Sequence, residues 1–303
     1  MSISLENKVA VVTGSGRGLG RAYALALAAA GAAVVVNDLD VASADETVTQ
    51  ITGGGGRAVS EIQAVGSAAA AQALVDRAVS EFGRLDIMVT NAGVLRDGVL
   101  WKMTDDDFDL VIETHLRGTF TCARAAAIRM REQGDGGRIV VIGSPAGQYG
   151  NFGQTNYATA KAGIVAFART ASMELARANV TVNAVIPTAW TEMTQTIPVY
   201  APLTDRIAAG EPFPPAVRRE HAIGWPEECA PLVVFLASDE GAGVTGQAIG
   251  IGGDKLTLYA HPTELTHEYH DGGWTADEIA IQWNEQLKPL AQPSGVALPP
   301  LEL

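Results

Sequence analysis

Cysteine is nearly missing from this chain, with only Cys122 and Cys229 in 303 residues. Two thiols cannot build a disulfide framework or a zinc site, and they suit a reducing compartment as ordinary core residues. Positive charge is also short: 21 Lys and Arg stand against 34 Asp and Glu, a net charge of −13. That balance disfavours nucleic acid or an anionic membrane as the partner, and acidic surfaces commonly serve solubility alone. There is no long apolar run. The longest, residues 23–36, is short for a bilayer span and is interrupted by Gly31. No signal peptide is visible, so the expectation is a cytoplasmic protein. Linker-like stretches, repeats and charge blocks are absent too, which favours one domain over two.

What is present is a 47% hydrophobic composition in short runs. Residues 8–13 read as a strand that stops at the cluster Gly14-Ser-Gly-Arg-Gly-Leu-Gly20, followed by a helix over 19–30 and a strand over 33–37 that ends at Asp38. Strand, glycine turn, helix, strand and acidic residue in that order make a nucleotide-binding βαβ unit. The spacing is Gly14-xxx-Gly18-x-Gly20 rather than GxGxxG. One glycine permits the turn, another admits a pyrophosphate to the backbone, and a third lets the helix pack close, with its N-terminal N–H groups facing the phosphates. Asp38 can accept hydrogen bonds from an adenosine ribose and repels a 2′-phosphate, which argues for NAD. Arg17 argues the other way, unless it is a solvated loop charge or is paired with Asp38.

The alternation continues with helices over 45–51, 68–82, 108–131 and 227–237, and strands over 58–62, 85–90, 181–186 and 247–251. The expected fold is α/β, a doubly wound parallel sheet with helices on both faces. A strand over 138–142 leads to Ser144, and residues 156–177 read as a helix on which Tyr157 and Lys161 share a face. A phenol beside an ammonium, with a hydroxyl in reach, suits proton exchange with an alcohol, since the ammonium stabilises the phenolate. YxxxK also arises by chance on amphipathic helices.

Two segments leave the alternation. Residues 188–226 are proline-rich, carry Trp190, Tyr200 and Phe213, and lie beyond a strand's carboxyl end, where ligands sit in open α/β sheets. They read as a substrate-covering segment of a domain over 1–255. Residues 256–303 form an extension expected to pack on that domain, with a helix-like stretch over 275–287. His261, His267 and His270 lie there with Glu264 and Glu268, but their spacing matches no familiar ligand pattern, so no metal is expected.

The glycine motif, Asp38, Asn91-Ala-Gly93, Ser144, Tyr157 and Lys161 occur in the order of the short-chain dehydrogenase/reductase family, which residues 6–253 resemble. The resemblance implies that Tyr157 is the general acid/base and that Ser144 orients the substrate oxygen. It implies that Lys161 binds the nicotinamide ribose and lowers the pKa of Tyr157. It puts Gly14, Ser15, Arg17, Gly18 and Leu19 around the pyrophosphate and adenosine end. Asp38, Leu39, Ala64, Val65, Asn91, Ala92, Gly93, Pro187 and Thr191 follow along the cofactor. The chain departs from the family where an Asn usually supports a water-linked proton path; His115 stands there, as a replacement or as a space filler. Ala64-Val65 replaces an Asp that often touches adenine.

Leu95-Arg-Asp97, His115-Leu-Arg-Gly118, Gly150-Asn-Phe-Gly-Gln154 and Met193-Thr-Gln-Thr196 further resemble the dehydrogenase unit of peroxisomal multifunctional enzyme type 2 (17β-hydroxysteroid dehydrogenase type 4) and its single-domain bacterial relatives. That likeness implies oxidation of (3R)-3-hydroxyacyl-CoA or a 17β-hydroxysteroid, some relatives acting in steroid side-chain degradation, and a homodimer or homotetramer. A dehydrogenase of small cyclic, monoterpenoid-like alcohols would share the same motifs, and a non-catalytic NAD-binding protein would share the fold.

Overall fold

β-Branched residues fill β1 (Val9–Thr13) and β2 (Ala33–Asp38), which flank α1 (Gly18–Ala29). α2 (Val41–Gly53), β3 (Arg57–Ile62), α3 (Ala68–Phe82) and β4 (Ile87–Thr90) follow. The next helical stretch is α4 (Asp105–Val111), a π-helical stretch Ile112–Arg117, and α5 (Gly118–Gln133). β5 (Gly137–Ile142), α6 (Pro145–Tyr149), α7 (Thr155–Leu175) and β6 (Val180–Pro187) complete the central part. Beyond it come α8 (Glu192–Gln195), α9 (Ala201–Ala208), α10 (Pro215–Arg219) and α11 (Ala230–Ala237). β7 (Ala248–Gly252), β8 (Lys255–Tyr259) and α12 (Ala276–Gln282) close the chain. The structure is a computed structural model that describes residues 3–195, 197–295, 299 and 301. Thr196 of the expected Met193–Thr196 motif, and residues 296–298, 300, 302 and 303 of the expected extension, lie outside the described residues.

All eight strands form one sheet in the order β3-β2-β1-β4-β5-β6-β7-β8. The first seven are parallel, as expected, and β8 is antiparallel to β7. Period-two alternation sends Val9 and Val11 to one face and Ala10 and Val12 to the other. Leu74, Met130 and Ile164 cover the first face, while Tyr23, Leu27 and Leu236 cover the second. The chain builds outward from β1 to β3 and then resumes at β4 on the other side of β1, so a crevice opens at the carboxyl ends of β1 and β4.

Several features differ from the sequence expectation. β8 falls in the stretch read as an irregular extension; its alternating Lys-Leu-Thr-Leu-Tyr pattern follows a tight turn at Gly253, φ +48°. The helix expected over 108–131 starts at Asp105, because Thr104 caps it and three aspartates sit in its first turn. Residues 188–226, for which no internal elements were expected, carry regular structure. They fold into helices around Trp190, Tyr200, Leu203, Phe213, Val217 and Ile223, a small core of their own. Among the described residues no helix is long and apolar enough to cross a membrane.

Candidate active site

The glycine loop sits in the crevice, and its glycines divide the work. Gly14 has φ +61°, and a Cβ there would lie 2.7 Å from Ala92 Cα. At Gly20 a Cβ would lie 2.0 Å from the Gly14 carbonyl oxygen, so only glycine lets α1 close on the end of β1. Gly18, with φ +54°, faces open space. Arg17 makes no side-chain cap to α1, so the first N–H groups of that helix remain available. This open, glycine-lined cradle at a helix N-terminus fits the pyrophosphate of a dinucleotide.

The floor is held by Thr13, whose hydroxyl accepts N–H bonds from Asn91 (2.9 Å) and Ala92 (3.0 Å). The Asn91 amide donates back to the Thr13 and Gly14 carbonyls at 3.0 Å. Asp38 holds the outer end of the glycine loop. One oxygen accepts the Gly16 N–H at 2.9 Å and the other accepts those of Leu39 (2.8 Å) and Asp40 (3.2 Å). Arg17 pairs with Glu192 of α8 at 3.1 Å, not with Asp38. The Ser15 hydroxyl is buried and donates to Val12 O at 2.7 Å, so only the Ser15 backbone faces the loop side. Val65 packs against Gly118, where a Cβ would meet it at 2.9 Å, while Ala64 and Leu39 are exposed. Pro187 ends β6, and the Thr191 hydroxyl lies 3.0 Å from that of Thr194.

Ser144, Tyr157 and Lys161 meet beside this crevice. Ser144 caps α6, accepting the Ala146 N–H at 3.2 Å. Its hydroxyl is also hydrogen-bonded to the Tyr157 phenol. Lys161, buried, donates from Nζ to Ile142 O at 2.7 Å and sits 5.6 Å from the Tyr157 ring centroid. A Cβ on Gly147 would fall 2.6 Å from the Lys161 carbonyl carbon, so α6 packs directly on the helix that carries both side chains. Desolvation brings the Lys161 ammonium down to about 7. Desolvation also raises the Tyr157 phenol; the Ser144 bond opposes that rise and the Asp97 charge adds to it. The expected lowering of the phenol by Lys161 is therefore outweighed: the ammonium is bonded to Ile142 and lies over the ring rather than at the hydroxyl.

His115 lies in the π-helical stretch, buried, with its ring edge-on to Tyr157 at 5.1 Å and 87°. Nε2 faces Val94 O at 2.8 Å and Val94 N at 3.0 Å, while the buried Nδ1 has no partner among the described residues. Gly93 leaves room for the ring, since a Cβ there would lie 2.2 Å from His115 Cε1. Burial, with the Lys161 charge second, pulls His115 down to about 3. The folded chain thus keeps it neutral while the unfolded chain protonates near 6.5, so stability from this group is lost as pH falls from 6.5 toward 3. Urea unfolding at pH 7 and pH 4.5 is expected to show a loss smaller by about 2 kcal/mol in His115→Gln than in the wild type. Equal losses would contradict the burial argument.

Asn156 went unread in the sequence, although it is fully buried. Its amide donates to Arg96 O at 2.8 Å and to Asp107 O at 3.3 Å, and its carbonyl accepts the Tyr157 N–H at 2.7 Å. It ties the loop after β4 and helix α4 to the first turn of α7. An Asn at a helix start reads as a cap, and this one does other work because Gln154 holds the cap position. Gln154 in turn donates to Asp97 at 2.9 Å across the site mouth. The tail histidines have protein partners: His261 faces Gly246 O at 3.1 Å, and His270 faces Gly273 O at 2.8 Å and Glu278 at 3.4 Å. No group of three or more metal-ligating side chains converges among the described residues.

A family model described as enoyl-(acyl carrier protein) reductase matches residues 14–253. The (2S)-[(R)-hydroxy(phenyl)methyl]succinyl-CoA dehydrogenase subunit of Thauera aromatica is 37% identical over 259 residues, covering 85% of this chain and 100% of that protein. The peroxisomal multifunctional enzyme type 2 of Drosophila melanogaster is 46% identical over 201 residues, 63% of this chain and 33% of the larger protein. Among solved structures, a short chain dehydrogenase from Mycobacterium avium superposes with a TM-score of 0.81 at 33% identity, covering 96% of this chain and 98% of that one.

Proposed function

Since this chain belongs to the short-chain dehydrogenase/reductase family, whose members are oxidoreductases acting on CH–OH groups, we propose that it oxidises a secondary alcohol to a ketone with NAD, the alcohol being a (3R)-3-hydroxyacyl-CoA or a 17β-hydroxysteroid. The observation that carries this reading is the Ser144–Tyr157 hydrogen bond with Lys161 alongside, next to the glycine cradle. A nicotinamide dinucleotide bound there supplies the hydride acceptor. Once ionised, a step that burial makes costly and the Ser144 hydroxyl favours, Tyr157 accepts the hydroxyl proton, and Ser144 holds the substrate oxygen as charge develops on it. Lys161, when protonated, makes the local field positive. Gly14, Gly18 and the open end of α1 hold the pyrophosphate, with Asn91, Ala92 and Gly93 lining the path and Pro187 and Thr191 at the nicotinamide end.

NAD is favoured over NADP because the Asp38 carboxylate faces the adenosine end while Glu192 neutralises Arg17. A 2′-phosphate there meets a like charge, a penalty of several kcal/mol by typical values. The thioester is favoured because the Thauera relative's name specifies a CoA ester of a secondary alcohol. Residues 1–255 serve as the dinucleotide-binding domain, 188–226 as its substrate cover and 256–303 as an extension packed on it, in the cytoplasm. Exposed Leu110, Phe120, Ile128 and Met173 on α4, α5 and α7 are the apolar surface on which a homodimer or homotetramer would form.

Reduced-cofactor formation with a (3R)-3-hydroxyacyl-CoA, a 17β-hydroxysteroid and a monoterpenol, each with NAD and with NADP, tests the reading. The thioester or steroid with NAD is expected to give the highest kcat/KM. Fastest turnover of the monoterpenol overturns the substrate class, faster turnover with NADP overturns the Asp38 argument, and no turnover at all favours a non-catalytic binding protein.

A further inference from the structure

The mouth of the site carries a fixed anion without a counter-charge. Asp97 lies in the loop after β4, and that loop is tied to the start of α7 on each side of it. Arg96 O accepts the Asn156 amide at 2.8 Å, and the Gly98 N–H donates to Gly153 O at 2.8 Å. Between these ties the Asp97 carboxylate accepts the Gln154 amide at 2.9 Å. Tyr157 stands one helical turn beyond Gln154. With both neighbours bonded, the carboxylate cannot swing away unless the loop parts from the helix.

Its partner is a neutral amide, and among the described residues no cation pairs with it. The cations nearby are committed elsewhere. Arg96 donates to Leu95 O at 2.7 Å and lies 3.8 Å from Asp107, and Arg17 pairs with Glu192 at 3.1 Å. Lys161 is buried and donates to Ile142 O. The Asp97 charge reaches the reacting group: burial raises the Tyr157 phenol, the Ser144 bond opposes the rise, and Asp97 adds to it. An anionic group brought beside Tyr157 meets the same field, and a neutral one does not.

We propose that Asp97 is a specificity-determining residue, a charge filter at the site mouth that admits alcohols uncharged around the reacting carbon, such as esters and thioesters, and turns away free hydroxy acids. This deepens the function proposed above and, for turnover, rests on it. The phosphates of a CoA ester sit at the far end of its pantetheine arm, beyond the Debye length of about 8 Å, so they escape the filter.

Asp97→Asn keeps an acceptor for Gln154 and removes the charge. The test compares kcat/KM for (3R)-3-hydroxyhexanoate and its methyl ester. The wild type is expected to prefer the ester, and that preference is expected to fall ~10-fold in the variant through a lower KM for the acid, the exposed carboxylate being partly screened by water. High salt is expected to shrink the preference in the wild type alone. An unchanged preference overturns the filter. An equal loss on both substrates overturns it too, and makes Asp97 a brace for the loop. If the wild type oxidises neither compound, the proposed function fails, and calorimetric binding of hexanoate and hexanamide to the NAD-loaded protein still decides the filter. Hexanoate is then expected to bind ~10-fold tighter to the variant, with hexanamide unchanged; equal hexanoate affinity overturns the proposal.

Discussion

Tyr157→Phe is expected to cut alcohol oxidation by ~10²–10⁴ and leave cofactor affinity and melting temperature close to wild type. The substitution removes a single oxygen. The fold does not lean on that oxygen, because the first turn of α7 is held by Asn156, which bonds to Arg96 O, Asp107 O and the Tyr157 N–H. The edge-on contact of the ring with His115 survives as well. What disappears is the group that exchanges a proton with the substrate hydroxyl and shares a hydrogen bond with Ser144. Steady-state turnover, quenching of tryptophan fluorescence by the cofactor, and a thermal melt separate these effects. A variant that keeps more than a few per cent of wild-type turnover would assign the proton transfer elsewhere. A variant that loses cofactor binding would show instead that the hydroxyl is structural.

Much of this site could be read from the sequence because its parts are local. Gly14, Gly18 and Gly20 declare a turn whose geometry only glycine allows, and Tyr157 and Lys161 lie one helical turn apart. The parallel order followed from alternating apolar runs, since each buried strand had a helix to return it. Less legible were the contacts that depend on segments far apart in the chain. Nothing near Asn156 announces that it will bridge to residues 96 and 107. Nothing near Arg17 selects Glu192 over Asp38, because that choice depends on how α8 settles after β6. The prolines of 188–226 marked a segment outside the alternation without showing its helices: Pro202 and Pro215 sit in the first turns of α9 and α10, where a missing N–H breaks no helical bond. β8 was obscured by its length of five residues, although the Gly252-Gly253 turn was a usable hairpin signal.

The catalytic wall is held by α6, which packs on the helix that carries Tyr157 and Lys161. α6 is a single short helix that carries Ser144 at one end and Tyr149 at the other, and it rests on Lys161 through Gly147. A Cβ at Gly147 would meet backbone at 2.6 Å, so even Gly147→Ala must push α6 off α7. The position of the Ser144 hydroxyl is therefore set by a close backbone contact that the sequence shows only as one more glycine.

Lys161→Met is expected to destroy turnover and yet stabilise the protein near neutral pH. In the folded chain the ammonium titrates at about 7, displaced from 10.5 by burial. Below pH 7 both folded and unfolded chains carry the charge, and the whole desolvation penalty bears on the folded state. Between pH 7 and 10.5 the unfolded chain holds a proton that the folded chain has released, so stability rises with pH across that window. At about 1.4 kcal/mol per unit the full penalty is up to about 5 kcal/mol. Methionine keeps the apolar stem and removes the charge, while Ile142 O loses its donor at a cost of about 1 kcal/mol. The variant is expected to exceed the wild type by about 4 kcal/mol at pH 6.5, with the gap closing toward pH 10. Urea midpoints across that range measure it. A variant less stable than wild type at pH 6.5 would mean that the buried ammonium is fully compensated in the fold. The opposite result identifies Lys161 as a charge kept for the reaction against the interest of the fold, a trade that active sites commonly make.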